Sequence, residues 1–202
     1  MFISGKVWTF ELLFCYMNNL EIERKFFLTL EAPDVQGALE GKNPVVEERY
    51  YLYRADGIEL RFTKLTKGTE TFCNFDRMSL IRASEQSSHI VRTKDRLKIT
   101  LAEFERLLAL LKLEDPNVLP IVRWSYHIGD APKFEIKVYK NRHEGLVRAE
   151  VEFESESAAQ AFSPLAWFGA EITDSLVGID TQLPDLSQSE FLKILDSLRE
   201  KV

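Results

Sequence analysis

The chain has 202 residues, of which 45% are hydrophobic and 29% charged, so it is long and apolar enough to bury one sizeable core rather than remain disordered. The net charge of −6 disfavours nucleic acid and anionic membranes as partners, and any polyanion has to be bound by a local cluster of cations. The two cysteines, Cys15 and Cys73, have neither CxxC spacing nor a histidine companion. This argues against a disulfide framework and a zinc site and is typical of a reducing cytoplasm.

The amino-terminal residues MFISGKVWTFELLFCY are partly apolar, but Glu11 interrupts the run and no small-residue cleavage site follows, which argues against a signal peptide. No stretch reaches the roughly 20 apolar residues of a membrane helix, so we expect no membrane association. The sequence MNNLEIERKFFL is typical of a protein start. We therefore expect residues 1–16 to be an extension that precedes the true start at Met17, and residues 17–202 to form a single domain with a carboxy-terminal helix.

Eight segments predict strands by two-residue alternation or by β-branched and aromatic content: 20–29, 46–54, 57–66, 70–79, 89–99, 119–128, 133–140 and 146–154. Three glycine-containing dipeptides predict hairpin turns between neighbouring strands: Asp56-Gly57, Lys67-Gly68 and Glu144-Gly145.

Three capping boxes predict helices that start after Thr100, Ser157 and Ser187, and a weaker pattern predicts a helix near 33–41. Strands outweigh helices, and eight antiparallel strands can close on themselves. The predicted fold is mainly β (α+β), an eight-stranded antiparallel β-barrel with peripheral helices. An open sheet or a sandwich is the competing architecture.

Charged residues alternate along several predicted strands, so they share one face. One strand presents Glu21, Glu23 and Lys25, and a late strand presents a glutamate ladder at 150, 152 and 154. Another strand is basic, with Arg92, Lys94, Arg96 and Lys98 on one face. A solvated outer face explains any one strand, and the basic ladder also suits a charged edge strand. The set favours a site in which the carboxylates hold Mg²⁺ or Mn²⁺ and the cations hold phosphate oxygens.

The run Glu21-Ile22-Glu23-Arg24-Lys25 resembles the Glu-x-Glu-x-Lys signature of the CYTH domain family, the triphosphate tunnel metalloenzymes. The agreement continues in order along about 20–185. RYYLY at 49–53 with ELRF at 59–62 is similar to an early hairpin of the family, and AEVEF at 149–153 resembles its late acidic strand. AWFGAEIT at 166–173 is similar to the following segment, in which Glu171 matches a family glutamate.

The resemblance implies a tunnel that binds a triphosphate together with one or two divalent metals, Mg²⁺ or Mn²⁺. Family members hydrolyse inorganic or thiamine triphosphate, or cyclise ATP. By carry-over, catalysis falls to Glu21, Glu23 and Lys25, and the metal ligands are Glu21, Glu23, Glu150 and Glu152. The triphosphate would be bound by Lys25, Arg61, Arg77, Arg92, Lys94, Arg123 and Lys137.

The sequence departs from the family pattern at four positions. Thr63 replaces an arginine, Ser125 replaces a basic residue and Lys137 replaces an acidic one, while Arg77 would substitute for a lysine if it faces inward. The prediction is a cytoplasmic metal-dependent phosphohydrolase of inorganic or small organic triphosphates. An adenylate cyclase of the same fold and a non-catalytic binder of nucleotides or polyphosphate are the alternatives. Oligomeric state is left open, with a homodimer as one option.

Overall fold

The computed structural model describes residues 20–83, 89–130 and 133–200. The predicted extension 1–16 and the start at Met17 lie outside these residues. Eight strands form the body of the protein: β1 (Leu20–Phe27), β2 (Val45–Ala55), β3 (Ile58–Lys67), β4 (Glu70–Ala83), β5 (Ile90–Ile99), β6 (Ile121–Asp130), β7 (Lys133–Lys140) and β8 (Val147–Phe153).

The strands close into an antiparallel barrel in the order β1-β5-β4-β3-β2-β6-β7-β8, with β8 paired back to β1. The predicted barrel is confirmed, and the open sheet and the sandwich are wrong. The edge-strand interpretation of the basic ladder is also wrong, because β5 pairs with β1 on one side and β4 on the other. Strand β4 runs four residues past its predicted end, with a register shift between Leu80 and Arg82 that marks a bulge.

The three predicted hairpin turns are confirmed, and each contains a residue with left-handed backbone conformation. Asp56 and Gly57 both have positive φ, at 52° and 72°, as the two central residues of a tight hairpin require. Gly68 and Gly145 have φ of 58° and 94° at the two other turns. These turns fix the register of β2 with β3, β3 with β4, and β7 with β8, and therefore decide which side chains point into the barrel.

Within the described part of the chain, four α-helices lie outside the barrel: α1 (Pro33–Leu39), α2 (Leu101–Glu114), α3 (Glu156–Ala161) and α4 (Gln188–Arg199). The capping boxes of α2 and α4 are present as predicted, at Thr100 and Ser187. The predicted cap of α3 is wrong. Ser155, rather than Ser157, accepts a hydrogen bond from the Ala158 backbone, so the helix begins two residues earlier than predicted. Among the described residues, no helix combines the length and apolarity needed to cross a membrane.

The apolar core lies between the outer face of the barrel and the helices, because the inner face is charged. On one side, Tyr50 and Phe62 of neighbouring strands stack with ring centroids 5.4 Å apart, and Phe104 of α2 packs edge-on against Phe62 at 5.1 Å. At one end of the barrel, Phe191 and Leu195 of α4 pack in a cluster with the segment that follows α3. These contacts close that end and leave the interior to polar groups.

Candidate active site

The barrel encloses a cavity of about 250 Å³, which we call the tunnel. Its described wall carries nine Lys or Arg side chains and seven carboxylates, so the formal charge of the lining is +2. The cations are Lys25, Arg49, Arg61, Arg92, Lys94, Arg96, Arg123, Lys133 and Lys137, and the acids are Glu21, Glu23, Glu47, Glu135, Glu150, Glu152 and Asp180. Burying so many charges is costly unless each is paired, and the pairing organises the site.

Alternation along β1 points Glu21, Glu23 and Lys25 into the tunnel, as the sequence predicts. Lys25 is fully buried, and its Nζ lies 2.9 Å from Glu23 Oε1 and donates to the Gly178 carbonyl at 3.0 Å. Burial lowers the pKa of Lys25, although the neighbouring Glu23 opposes that shift. The lysine is therefore held in place from both sides.

Three residues of the basic ladder on β5, the strand paired with β1, face the same space: Arg92, Lys94 and Arg96. Arg92 Nε donates to Glu21 Oε2 at 2.7 Å, and its terminal nitrogen also bonds Glu23. Lys94 Nζ donates to Glu21 Oε1 at 2.9 Å. Burial by itself would raise the pKa of Glu21, but Arg92 and Lys94 together hold that pKa well below its usual range. The ladder thus supplies the positive charge that keeps Glu21 ionised.

Strands β7 and β8 bring three more predicted residues inward. Lys137 Nζ bonds one oxygen of Glu150, while Arg148 Nε donates to the other at 2.8 Å. Glu152 lies nearer the open end, where it pairs with Lys133 at 2.8 Å and is one-third exposed. The lysine at 137, which stands where the family carries an acid, therefore neutralises a glutamate predicted to bind metal.

The closed end of the tunnel is an arginine cluster around one carboxylate. Asp180 accepts from Arg123 at 2.8 Å, from Arg148 at 2.5 Å and from the Tyr139 hydroxyl at 2.6 Å, and it also bonds Arg49. Burial would raise the pKa of Asp180, but the surrounding arginines hold it well below its usual range. Sequence reasoning missed this residue.

The missed residues differ in how they could have been found. Arg148 follows the same two-residue alternation as the predicted Glu150 and Glu152 on β8, so extending that pattern would have found it. Glu47 and Arg49 alternate in the same way on β2, a strand on which no site residue was predicted. Asp180 lies in an irregular segment, where no periodicity indicates which way a side chain points.

One predicted site residue lies elsewhere. Arg77 is on the outer face of β4, half exposed, with its guanidinium 3.2 Å from Asp95. The register pairs Arg61 with Asp76, so Asp76 faces inward and its neighbour Arg77 must face out. The prediction that Arg77 lines the tunnel is wrong. Glu171 is also outside, where it accepts from Arg24 Nε at 3.0 Å.

All other predicted site residues line the tunnel: Glu21, Glu23, Lys25, Arg61, Arg92, Lys94, Arg123, Lys137, Glu150 and Glu152. The two positions that lack a family cation also face inward. Ser125 Oγ bonds Glu47, and the buried Thr63 hydroxyl has no hydrogen-bond partner among the residues that the structure describes. The structure thus brings this predicted set together, and the role of each member stays a prediction.

The carboxylates are oxygen ligands of the type that Mg²⁺ and Mn²⁺ prefer. Register sets Glu23 opposite Glu152 and Glu135 opposite Glu150, where like charges repel and a divalent cation would relieve the repulsion. Within residues 20–83, 89–130 and 133–200, no three acidic, histidine or cysteine side chains converge on a metal position. The donors fit such a cation by chemistry and strand position, while their side chains are arranged as ion pairs.

Comparison with known proteins finds relatives of this chain in sequence and in structure. No family model matches. The inorganic triphosphatase of Nitrosomonas europaea is 34% identical over 154 residues, which cover 76% of this chain and 89% of that protein.

Solved structures give related matches. The crystal structure of the inorganic triphosphatase NE1496 is 32% identical with a TM-score of 0.47, covering 81% of this chain and 93% of that one. A second structure is that of the putative adenylyl cyclase HpAC1 from Hippeastrum, described as having a dominant triphosphatase activity. It is 14% identical with a TM-score of 0.48, and the match covers 69% of this chain and 82% of that one.

The assignment rests on the sequence relationship to the Nitrosomonas protein, which extends over most of both chains. This chain belongs to the family of that inorganic triphosphatase, the CYTH or triphosphate tunnel family.

Proposed function

We propose that this protein is a triphosphatase that hydrolyses inorganic triphosphate, or a small organic triphosphate, inside its barrel. One observation carries the proposal: a closed barrel whose inner wall holds nine cationic side chains beside seven carboxylates. Cationic side chains at this density suit an anion with many oxygens, such as a triphosphate. The 34% identity to an inorganic triphosphatase supports the same substrate class.

The charge balance argues that a divalent metal accompanies the substrate. Triphosphate carries about four to five negative charges near neutral pH, against a lining of +2. One or two Mg²⁺ or Mn²⁺ ions would remove the deficit. We propose Glu21, Glu23 and Glu152 as their ligands, with Glu150 as a further candidate. When bound, the metal would neutralise phosphoryl charge and lower the pKa of a bound water.

The protein's own contribution is to position the phosphates. Lys25, Arg61, Arg92 and Lys94 already point inward and pair with carboxylates, so each has a fixed geometry before substrate arrives. We propose that triphosphate takes these cations as partners and frees the carboxylates for metal, at little net change in buried charge. Arg123 and Lys137 extend the same surface toward the closed end. Preorganised charge of this kind lowers the cost of phosphoryl transfer.

A non-catalytic receptor for triphosphates is the second candidate, favoured by three departures from the family pattern. Lys137 bonds Glu150, a proposed metal ligand, and Ser125 and Thr63 stand where the family carries further cations. A cyclase remains an alternative of the same fold.

We also propose a cytoplasmic location, because the two cysteines show no paired spacing.

The test is to measure phosphate and pyrophosphate release from inorganic triphosphate, ATP and thiamine triphosphate, each with Mg²⁺, with Mn²⁺ and with chelator. We expect metal-dependent phosphate release by the wild type. We expect a lower rate in the Glu23→Gln variant, measured on protein that is shown to be folded. Pyrophosphate with a cyclic nucleotide would identify a cyclase. Tight triphosphate binding without any release would identify a receptor and contradict the proposal.

A further inference from the structure

The side chain of Asp180 is an anion built into the closed end of the tunnel. Its two oxygens are bonded by three guanidinium groups and one phenol, contributed by Arg49, Arg123, Arg148 and Tyr139. Arg49 and Arg123 also line the tunnel. Three guanidinium groups around one acceptor are more typical of a phosphate-binding site than of a single carboxylate.

The segment that carries Asp180 is fixed against the barrel. Arg148 donates to the Val177 and Gly178 carbonyls at 2.9 and 3.1 Å, and Lys25 donates to the Gly178 carbonyl at 3.0 Å. The approach is so close that a Cβ at Gly178 would stand 1.7 Å from the Ile172 carbonyl oxygen. Asp180 is therefore held in position and cannot swing aside for an incoming anion.

Asp180 lies at this end of the tunnel lining, next to apolar packing. Tyr139, Val177 and Leu183 belong to the apolar cluster that α4 covers with Phe191 and Leu195. A phosphate chain that enters from the open end consequently meets a fixed negative charge, backed by apolar packing, at the position where further arginines would otherwise bind its next phosphate.

We propose that Asp180 sets the length of phosphate chain that the tunnel accepts, by occupying an anion position that a longer chain would need. This inference rests on the proposed triphosphatase function and adds a determinant of substrate length. Removing the side chain would leave three arginines and a carboxylate-sized space at the closed end. The tunnel would then accept one further phosphate.

The experiment compares inorganic triphosphate with inorganic tetraphosphate on the full chain. Initial-rate kcat/KM with Mg²⁺ and equilibrium binding with chelator are measured for wild type, Asp180→Ala, Asp180→Asn and Asp185→Ala. Asp185 is the matched control, since it follows on the same segment but bonds Arg54 at 2.8 Å on the surface. Asp180→Asn removes the charge and keeps the volume.

The wild type is expected to prefer triphosphate, and Asp180→Ala to raise the ratio of tetraphosphate to triphosphate by about tenfold. Asp180→Asn should raise it less, and Asp185→Ala should leave it unchanged. Added acetate, which can refill the space, should restore the wild-type ratio in Asp180→Ala alone.

A ratio that stays within about twofold of wild type in both Asp180 variants would overturn the inference. If Asp180→Ala does not fold, the asparagine variant decides by the same criterion. Failure of the proposed function is a separate result: wild type would release no phosphate from either substrate, while the binding arm would still report the length preference.

Discussion

Replacing Arg148 by methionine should destabilise the protein severely, because this guanidinium is fully buried and bonds four groups. It donates to Glu150, Asp180 and the carbonyls of Val177 and Gly178. Removing one partner of a buried ion pair costs about 3–5 kcal/mol. Methionine retains most of the apolar stem, so lost packing adds little. We therefore expect the free energy of unfolding to fall by about 4 kcal/mol.

Urea unfolding followed by circular dichroism measures this loss. With a slope of about 2 kcal/mol per molar urea, the midpoint should move down by about 2 M. Arg77→Met is the matched control, because Arg77 bonds Asp95 on the surface at 3.2 Å and a surface pair contributes at most about 1 kcal/mol. Equal midpoints for the two variants would refute the argument that the tunnel charges are paired and buried.

Two further predictions concern stability. The pKa values of Glu21, Glu150 and Asp180 lie below their ordinary values in the folded protein, so their stabilisation is complete above about pH 4.5 and is lost as the pH falls through the folded values. The melting temperature should hold from pH 7 to 5 and drop toward pH 3, and a rise over that acidic range would contradict the assignment. Phe104→Ala should lower the free energy of unfolding by about 3–5 kcal/mol, since the ring is buried against Tyr50 and Phe62. A loss below about 1 kcal/mol in chemical denaturation would mean that α2 does not pack on the barrel as described.

The barrel and most of its lining could be predicted because both follow from local rules. Strand alternation and the turn residues Asp56-Gly57 and Gly145 fix register, and register fixes which face each charge occupies. The predicted inward positions of Glu21, Glu23 and Lys25 needed no more than that. The segregation of Arg92 and Lys94 onto one face followed from the same period.

The errors and omissions depend on contacts between distant parts of the chain. Whether Arg77 or Asp76 faces inward is decided by pairing with β3, which a single-strand pattern does not report. Asp180 reaches the tunnel through an irregular segment, and its partners Arg49 and Arg123 come from β2 and β6. The predicted start of α3 is wrong because Ser155 and Ser157 are both residue types that cap helices, and the sequence pattern alone does not choose between them.

The most direct test of the account is a crystal structure of the protein with inorganic triphosphate and Mn²⁺, with anomalous scattering used to locate the metal. We expect triphosphate inside the barrel, contacting Lys25, Arg92 and Lys94, with a manganese peak between Glu23 and Glu152. Triphosphate bound on the outer surface, or an empty tunnel at saturating ligand, would contradict it.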